Sequence, residues 1–301
     1  MAGKKVRHMK RKVNRILLFV SIVLSMFAMT KTVYAASSSN PKYINSSWVK
    51  TGSGYAKKDE TTRALYCKNS RGVLRKVSKR IGIAVGEEDV IYYNEWKSDY
   101  SCVIYSYNIK TEAKKKICAP YHCHNYLGYY KGYIYYSVGE YYRETLKTYK
   151  QSVKTGKRSR ITTLNGAGDA CQYKNYMAVM NVRGDPGPTT MRIYNLSTGK
   201  VVKTISWCTA VKIIKGMIYY SVYSGSVSSG MQKIYRCSMN GTKAKQIATY
   251  KGSNLMPGIE CSYAYFVTRS GKIVKYYYSS KKTVSSSQSA YTKSWQNSIV
   301  Y

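Results

Sequence analysis

Histidine is scarce in this 301-residue chain, and two of its three histidines flank one cysteine. His122 and His124 stand on either side of Cys123 in CAPYHCH, residues 118–124. Cys118, His122, Cys123 and His124 are all types that ligate zinc. Their spacing matches no standard finger, and neighbouring residues on a strand point to opposite faces. An ordinary loop or a Cys118–Cys123 disulfide accounts for the segment more simply, so no metal or other cofactor is expected. A serine triad would have to draw its histidine from this one loop. A Cys–His nucleophile suits an oxidising compartment poorly.

Carboxylates are the other candidate chemistry. Glycoside hydrolysis needs a facing pair, and the chain has only 13 acidic residues. Glu87, Glu88, Asp89, Glu95 and Asp99 cluster in one stretch, while Asp169 and Glu260 stand apart. No sialidase-type S-x-D-x-G-x-T-W box occurs, so a hydrolase built on Asp169 and Glu260 is the runner-up reading rather than the first. Arg183-Gly184-Asp185 spells an adhesion tripeptide in VRGDPGPTT, but Pro186 restricts the aspartate before it, and a plain turn explains the same residues. KTGKRSR, residues 154–160, lacks the spacing of a phosphate loop and reads as a hairpin.

The elements that must position these residues repeat. LYCKNSRGVLRKVS, IYSYNIKTEAKKKI, TYKQSVKTGKRSRI, IYNLSTGKVVKTI, IYRCSMNGTKAKQI and IVKYYYSSKKTV each read as a strand, a tight polar turn and a basic second strand. Counted at Gly72, Thr111, Thr155, Thr198, Gly241 and Ser280, the steps are 39, 44, 43, 43 and 39 residues. A period of this length with several strands per unit is the mark of a propeller. The fifth unit shows four strands: TAVKIIKG, MIYYSVYS, MQKIYRCSM and KAKQIATY. Lys215-Gly216 and Asn240-Gly241 supply its hairpin turns. The expected fold is therefore all-β: a six-bladed propeller of four-stranded antiparallel blades, about 43 residues per repeat. The tail SWQNSIVY, residues 294–301, reads as a last strand that pairs into the first blade and closes the ring.

The pattern of a strand ending IYY, a variable loop and IY-x-x-x-[ST]-[GT]-[GKT] resembles the low-density-lipoprotein-receptor-like and TolB-like six-bladed propellers. More closely, it is similar to the propeller domain of unknown function common in secreted clostridial proteins. The resemblance covers about residues 48–301 and implies architecture alone. The receptor family's YWTD tetrad is absent, and no ligand residue is carried over.

Residues 1–35 read as a signal peptide. Lys4, Lys5, Arg7, Lys10, Arg11, Lys12 and Arg15 precede an apolar run at 16–29, and Val33-Tyr34-Ala35 is a small-x-small cleavage site. The run is shorter than the roughly 20 residues a span needs; a retained N-terminal anchor is the competing reading. Ser-rich residues 36–45 are expected as a disordered leader, and 46–301 as the propeller. Localisation is read as secreted, with association to a Gram-positive cell wall.

After cleavage the chain keeps 42 basic and 13 acidic residues, a net charge of +29. Such a charge attracts polyanions. Outside a cell these are wall polymers, anionic glycans or membrane surfaces rather than nucleic acid. Lysine at Lys114, Lys115, Lys116, Lys157, Lys243 and Lys245 also suits an outermost strand, where it blocks edge pairing. The 34 tyrosines suit packing between blades, Tyr135 and Tyr219 among them. Loops joining second to third strands share a face with the connections between blades. Trp96, Tyr141, Tyr142, Arg143, Trp207 and Tyr223 would cluster on that rim as ligand-binding residues. The function expected is non-catalytic binding of an anionic cell-envelope polymer or a protein partner; a structural or adhesive module is a further alternative.

Overall fold

The computed structural model describes residues 41–59, 61–97, 101–120, 123–139, 146–181, 189–225, 230–251, 257–268, 270–296 and 299–300. The calls at His122, Tyr141, Tyr142, Arg143 and Arg183-Gly184-Asp185, and the leader through residue 40, lie outside the described residues.

The chain is built from antiparallel meanders. A short strand β1 (Lys42–Tyr43) comes first. The first meander is β2 (Val49–Thr51), β3 (Gly54–Lys58), β4 (Leu65–Lys68) and β5 (Leu74–Ser78). The second is β6 (Ile81–Glu87), β7 (Val90–Trp96), β8 (Cys102–Asn108) and β9 (Lys114–Cys118). The third is β10 (Cys123–Tyr130), β11 (Tyr133–Val138), β12 (Lys147–Ser152) and β13 (Arg158–Arg160). One longer sheet follows: β14 (Ala167–Tyr173), β15 (Tyr176–Asn181), β16 (Thr189–Asn195), β17 (Lys200–Ile214), β18 (Met217–Ser224), β19 (Met231–Ser238) and β20 (Lys245–Lys251). The last meander is β21 (Gly258–Ile259), β22 (Tyr263–Val267), β23 (Ile273–Tyr277) and β24 (Thr283–Ser285).

β17 is a single 15-residue strand that pairs with β16, β18 and β25. Its residues 200–208 pair with β16 and residues 208–214 with β18. Between them Trp207 adopts φ +58°, a left-handed conformation uncommon for a bulky side chain.

Turn chemistry follows the residues that favour it. Lys131-Gly132 and Lys215-Gly216 join first to second strands with positive φ at both positions (44° and 80°, 49° and 72°), which is the demand of a tight hairpin turn. The second strands bury their β-branched and aromatic residues: Ile91, Tyr93, Ile134, Tyr136, Ile218 and Phe266 are all buried. Tyr135 and Tyr219 are buried as well.

Apolar clusters lie between consecutive meanders. Leu65 and Ala56 pack on Ile81 and Ile91, and Ile83 and Ile104 on Tyr126 and Ile134. Further along, Leu127 packs with Leu164 and Val179, Ile193 with Ile218, and Ile234 with Phe266. Tyr92 stacks on Tyr129 with ring centroids 3.9 Å apart. Polar links cross the same gaps. Gln172 of β14 accepts from the Tyr129 backbone N–H at 3.0 Å and donates to its carbonyl at 2.6 Å. A Cβ at Gly128 would fall 2.3 Å from that Gln172 oxygen, so this approach needs glycine. The inner strands β6, β10, β14, β17 and β21 pack against one another in that order.

Both ends of the chain depart from the expectation. The leader does not run to residue 45: β1 pairs with β6, Lys42 opposite Gly86 and Tyr43 opposite Val85, and Ile44 is fully buried. The tail is not one strand in the first blade. Residues 288–296 form helix α1 (Gln288–Gln296), and β25 (Ile299–Val300) pairs with β17 at Ala210 and Val211. Ser287 explains the helix start, since its Oγ accepts the Ala290 N–H at 3.2 Å, the role of a capping residue. Helix α1 packs on β21 and β22.

Candidate functional site

Four inner strands carry the same irregularity, at the start of β6, β10 and β14 and midway along β17. The register shifts between Ile81 and Ala84 of β6, Cys123 and Asn125 of β10, Ala167 and Asp169 of β14, and Cys208 and Ala210 of β17. Bulges re-aim side chains and recur beside functional sites. Here they open the strands at the end shared with the inter-meander connections.

Lys58, at the end of β3, reaches the first of these bulges. Its Nζ donates to the Gly82 carbonyl at 2.7 Å. A Cβ at Gly82 would meet the Asn94 amide at 2.7 Å, and Asn94 Oδ1 accepts the Ile83 N–H at 2.7 Å. Burial pushes the Lys58 ammonium from 10.5 down to about 8, Arg63 adds to the drop, and Asp169 opposes it. Asn125 donates through Nδ2 to the Gly168 carbonyl at 3.0 Å and to Asp169 Oδ1. Burial, reinforced by Cys171 and Asp169, holds the Tyr43 phenol above its ordinary range. Tyr43, Lys58 and Asp169 thus share one neighbourhood, although 126 residues of sequence separate the first from the last. Asn94 Nδ2 and Asn125 Oδ1 are buried with no hydrogen-bond partner among the described residues. Such groups are where a water or a polar guest would be held.

A second polar centre lies at β17, β21 and α1. Lys212 Nζ donates to Glu260 Oε1 at 2.7 Å, and Ser294 Oγ donates to the same oxygen at 2.7 Å. The Tyr278 hydroxyl donates to the Glu260 carbonyl at 3.0 Å. The described contacts give each central carboxylate its own donors: Asn125 for Asp169, Lys212 and Ser294 for Glu260. Among the described residues no group of three or more His, Cys, Asp or Glu side chains is arranged to hold a metal ion.

The expected rim is only partly assembled. Trp207 is 59 % exposed and stands at the junction within β17. Tyr223 is 6 % exposed, and its ring lies against Gly230, where a Cβ would overlap the phenol. It packs rather than displays. Trp96 is half-buried and packs on the cluster that contains Ile83, Cys102 and Cys123. The physical reason is strand length: β7 runs through Trp96 and β18 through Ser224, so both aromatics stay within the sheet.

All eight cysteines, Cys118 and Cys123 among them, are free thiols in this structure. Cys123 Sγ faces Cys102 Sγ at 2.9 Å, because Cys102 and Cys123 open adjacent strands of neighbouring sheets, whereas Cys118 ends β9 and is half-buried.

Sequence reasoning flagged Asp169 and Glu260 but missed Tyr43, Lys58, Asn125 and Lys212. None of these carries a local signal; the stacking of sheets brings them to the centre.

The outermost strands carry the charge. Arg75 and Lys76 of β5, Lys114, Lys115 and Lys116 of β9, Arg158 and Arg160 of β13, Lys200 and Lys203 of β17, and Lys245 of β20 are exposed. Some are anchored: Lys114 lies 3.0 Å from Glu95 and 4.3 Å from the Tyr105 ring centroid, and Arg158 lies over Tyr149. The Glu95 carboxyl, although burial alone would raise it, is brought below its ordinary value by hydrogen bonds from Lys114 and Ser78 and by the charges of Lys114 and Lys97. Lys115, Lys116, Arg160, Lys200 and Lys245 make no ion pair among the described residues.

No protein-family model and no curated protein sequence matches the chain. Among solved structures it is similar to TolB from Acinetobacter baumannii, at 14 % identity and TM-score 0.45, over 76 % of this chain and 62 % of that one. It is also similar to a putative TolB from Agrobacterium tumefaciens, at 10 % identity and TM-score 0.45, over 72 % and 91 %. The β-propeller domain of the Trilobed protease from Pyrococcus furiosus matches at 12 % identity and TM-score 0.41, over 67 % and 68 %. The chain therefore spans 62 % of the length of the first of these relatives. Each of these is similar in its fold, and the chain's own topology is a succession of four-stranded antiparallel meanders, with β17 common to two strand runs.

Proposed function

We propose that this chain is a secreted, non-catalytic binding protein whose six four-stranded blades carry a basic perimeter for anionic polymers of the cell envelope. β17 is read as the fourth strand of one blade and the first of the next, so that the seven strands β14–β20 make two blades. The observation that carries the reading is the row of exposed lysines and arginines on successive outermost strands, several without an acidic partner among the described residues. Edge protection explains some lysine there, but runs such as Lys114, Lys115 and Lys116 exceed what one short edge needs. Trp207 adds an exposed aromatic on the loop side, of the kind that stacks on sugars or anchors a partner.

The test is sedimentation of the chain with purified Gram-positive cell walls, intact or stripped of teichoic acid, across a salt series. Retention that requires the anionic polymer and fades with salt supports the proposal, since exposed charges are screened within about 10 Å at 0.1 M salt. Retention that survives both treatments replaces it with glycan recognition by aromatic residues, and no retention at low salt refutes it. A Lys115→Glu/Lys116→Glu double variant, which spares the Lys114–Glu95 pair, is expected to weaken retention while leaving the unfolding midpoint in place.

A further inference from the structure

Cys102 and Cys123 belong to different sheets. Cys102 opens β8 opposite Trp96, and Cys123 opens β10 opposite Val138. Both are buried, and their Sγ atoms lie 2.9 Å apart across the gap between the second and third meanders. That is closer than unbonded sulfurs rest, and the cluster around them holds Ile83, Tyr126, Ile134 and Tyr136, with Cys118 packed at its border. We propose that Cys102 and Cys123 form a disulfide that staples the second meander to the third. This inference is independent of the polyanion reading.

The chemistry requires an oxidant, a small-molecule disulfide such as oxidised glutathione. One cysteine thiolate attacks a glutathione sulfur and expels one glutathione thiolate. The second cysteine thiolate then attacks the mixed disulfide and expels the other. Two protein thiols are oxidised, one glutathione disulfide is reduced, and the two protons the protein gives up pass through solvent to the two expelled glutathione thiolates, which end as thiols.

Burial sets when this happens. In the folded chain the Cys123 thiol is held well above its ordinary value by the hydrogen bond with Cys102, by burial and by its sulfur neighbours. Burial pushes Cys118, at the border of the same cluster, up to about 12. Thiolates, not thiols, carry out exchange. Bridge formation therefore belongs to the chain before the sheets close, and the finished bridge is shielded from soluble thiols.

The experiment refolds the full chain from guanidinium with reduced and oxidised glutathione, alkylates it, digests it and maps the linked peptides by mass spectrometry. The same map on chain purified directly in its folded form serves if refolding yields too little. A peptide pair joined through Cys102 and Cys123, with Cys118 alkylated, is expected. Alkylation of both Cys102 and Cys123, or a link from either to Cys118, overturns the proposal. In Cys118→Ala the Cys102–Cys123 link is expected unchanged. Reducing the bridge under denaturing conditions and refolding with reductant is expected to lower Tm by about 5–10 °C, from closure of a loop this long in a chain of this size.

Discussion

Replacing Lys58 by methionine isolates the cost of holding a cation at the centre of the molecule. Lys58 donates to the Gly82 carbonyl beside Asp169 and Arg63, and its folded-state value falls from 10.5 to about 8. At 1.36 kcal/mol per unit, that drop is worth about 3 kcal/mol against the charged form. Below about pH 8 the lysine is protonated in the folded and unfolded chains alike, and the whole penalty is present. Between about 8 and 10.5 the folded chain gives up the proton first, so the unfolded chain holds more protons and stability rises with pH. The native chain is therefore expected to gain about 3 kcal/mol relative to Lys58→Met as pH is raised from 7 to 11. Urea unfolding of both proteins across that range measures the difference. Comparison with the variant cancels the tyrosine and surface-lysine titrations common to both. Parallel curves would refute the reasoning and show that the ammonium reaches water.

Three other substitutions test separate parts of the structure. Tyr136→Phe removes the hydroxyl that donates to Gln151 Oε1 at 2.9 Å, and leaving that buried oxygen unpaired is expected to cost about 1–2 kcal/mol in urea unfolding. Asp89 is held below its ordinary value by hydrogen bonds from the Ser53 N–H and hydroxyl. Its contribution is present above pH 3.8 and is lost as pH falls through the folded value, so Asp89→Asn should lower Tm at neutral pH and flatten the acid limb of Tm against pH. Trp207→Ala is expected to leave stability within about 0.5 kcal/mol, as for an exposed side chain, while reducing retention on cell walls. Equal retention would remove Trp207 from the binding surface.

The repeat was legible because each unit carries its own short-range signals. Second strands such as YIYYSV and MIYYSV and turns such as Lys215-Gly216 depend only on neighbours in sequence, and the structure has strands and left-handed turns at those positions. What failed depended on where an element stops. Tyr223 stands near the end of the strand MIYYSVYS and is expected on the rim; the ladder pair Tyr223 with Gln232 keeps it in the sheet, where it is buried. The tail, residues 294–301, reads as a strand, but the Ser287 cap starts a helix that runs on through Gln296. The centre was illegible for a different reason. Tyr43, Lys58, Asn125 and Asp169 come from four sheets or segments, and only the stacking order of the sheets puts them together.

The uninterrupted β17 has a mechanical consequence. Two connections between meanders, the two residues between β5 and β6 and the 3-10 turn at Thr162–Leu164, are short turns that can yield like hinges when the chain is pulled. β17 has no such slack: tension entering at Lys200 passes along extended backbone to Ile214, loading the ladders to β16 and β18 in series. Under force the sheet β14–β20 should part from the rest as one unit and rupture in a single larger step, with Trp207 marking the point where the strand first bends.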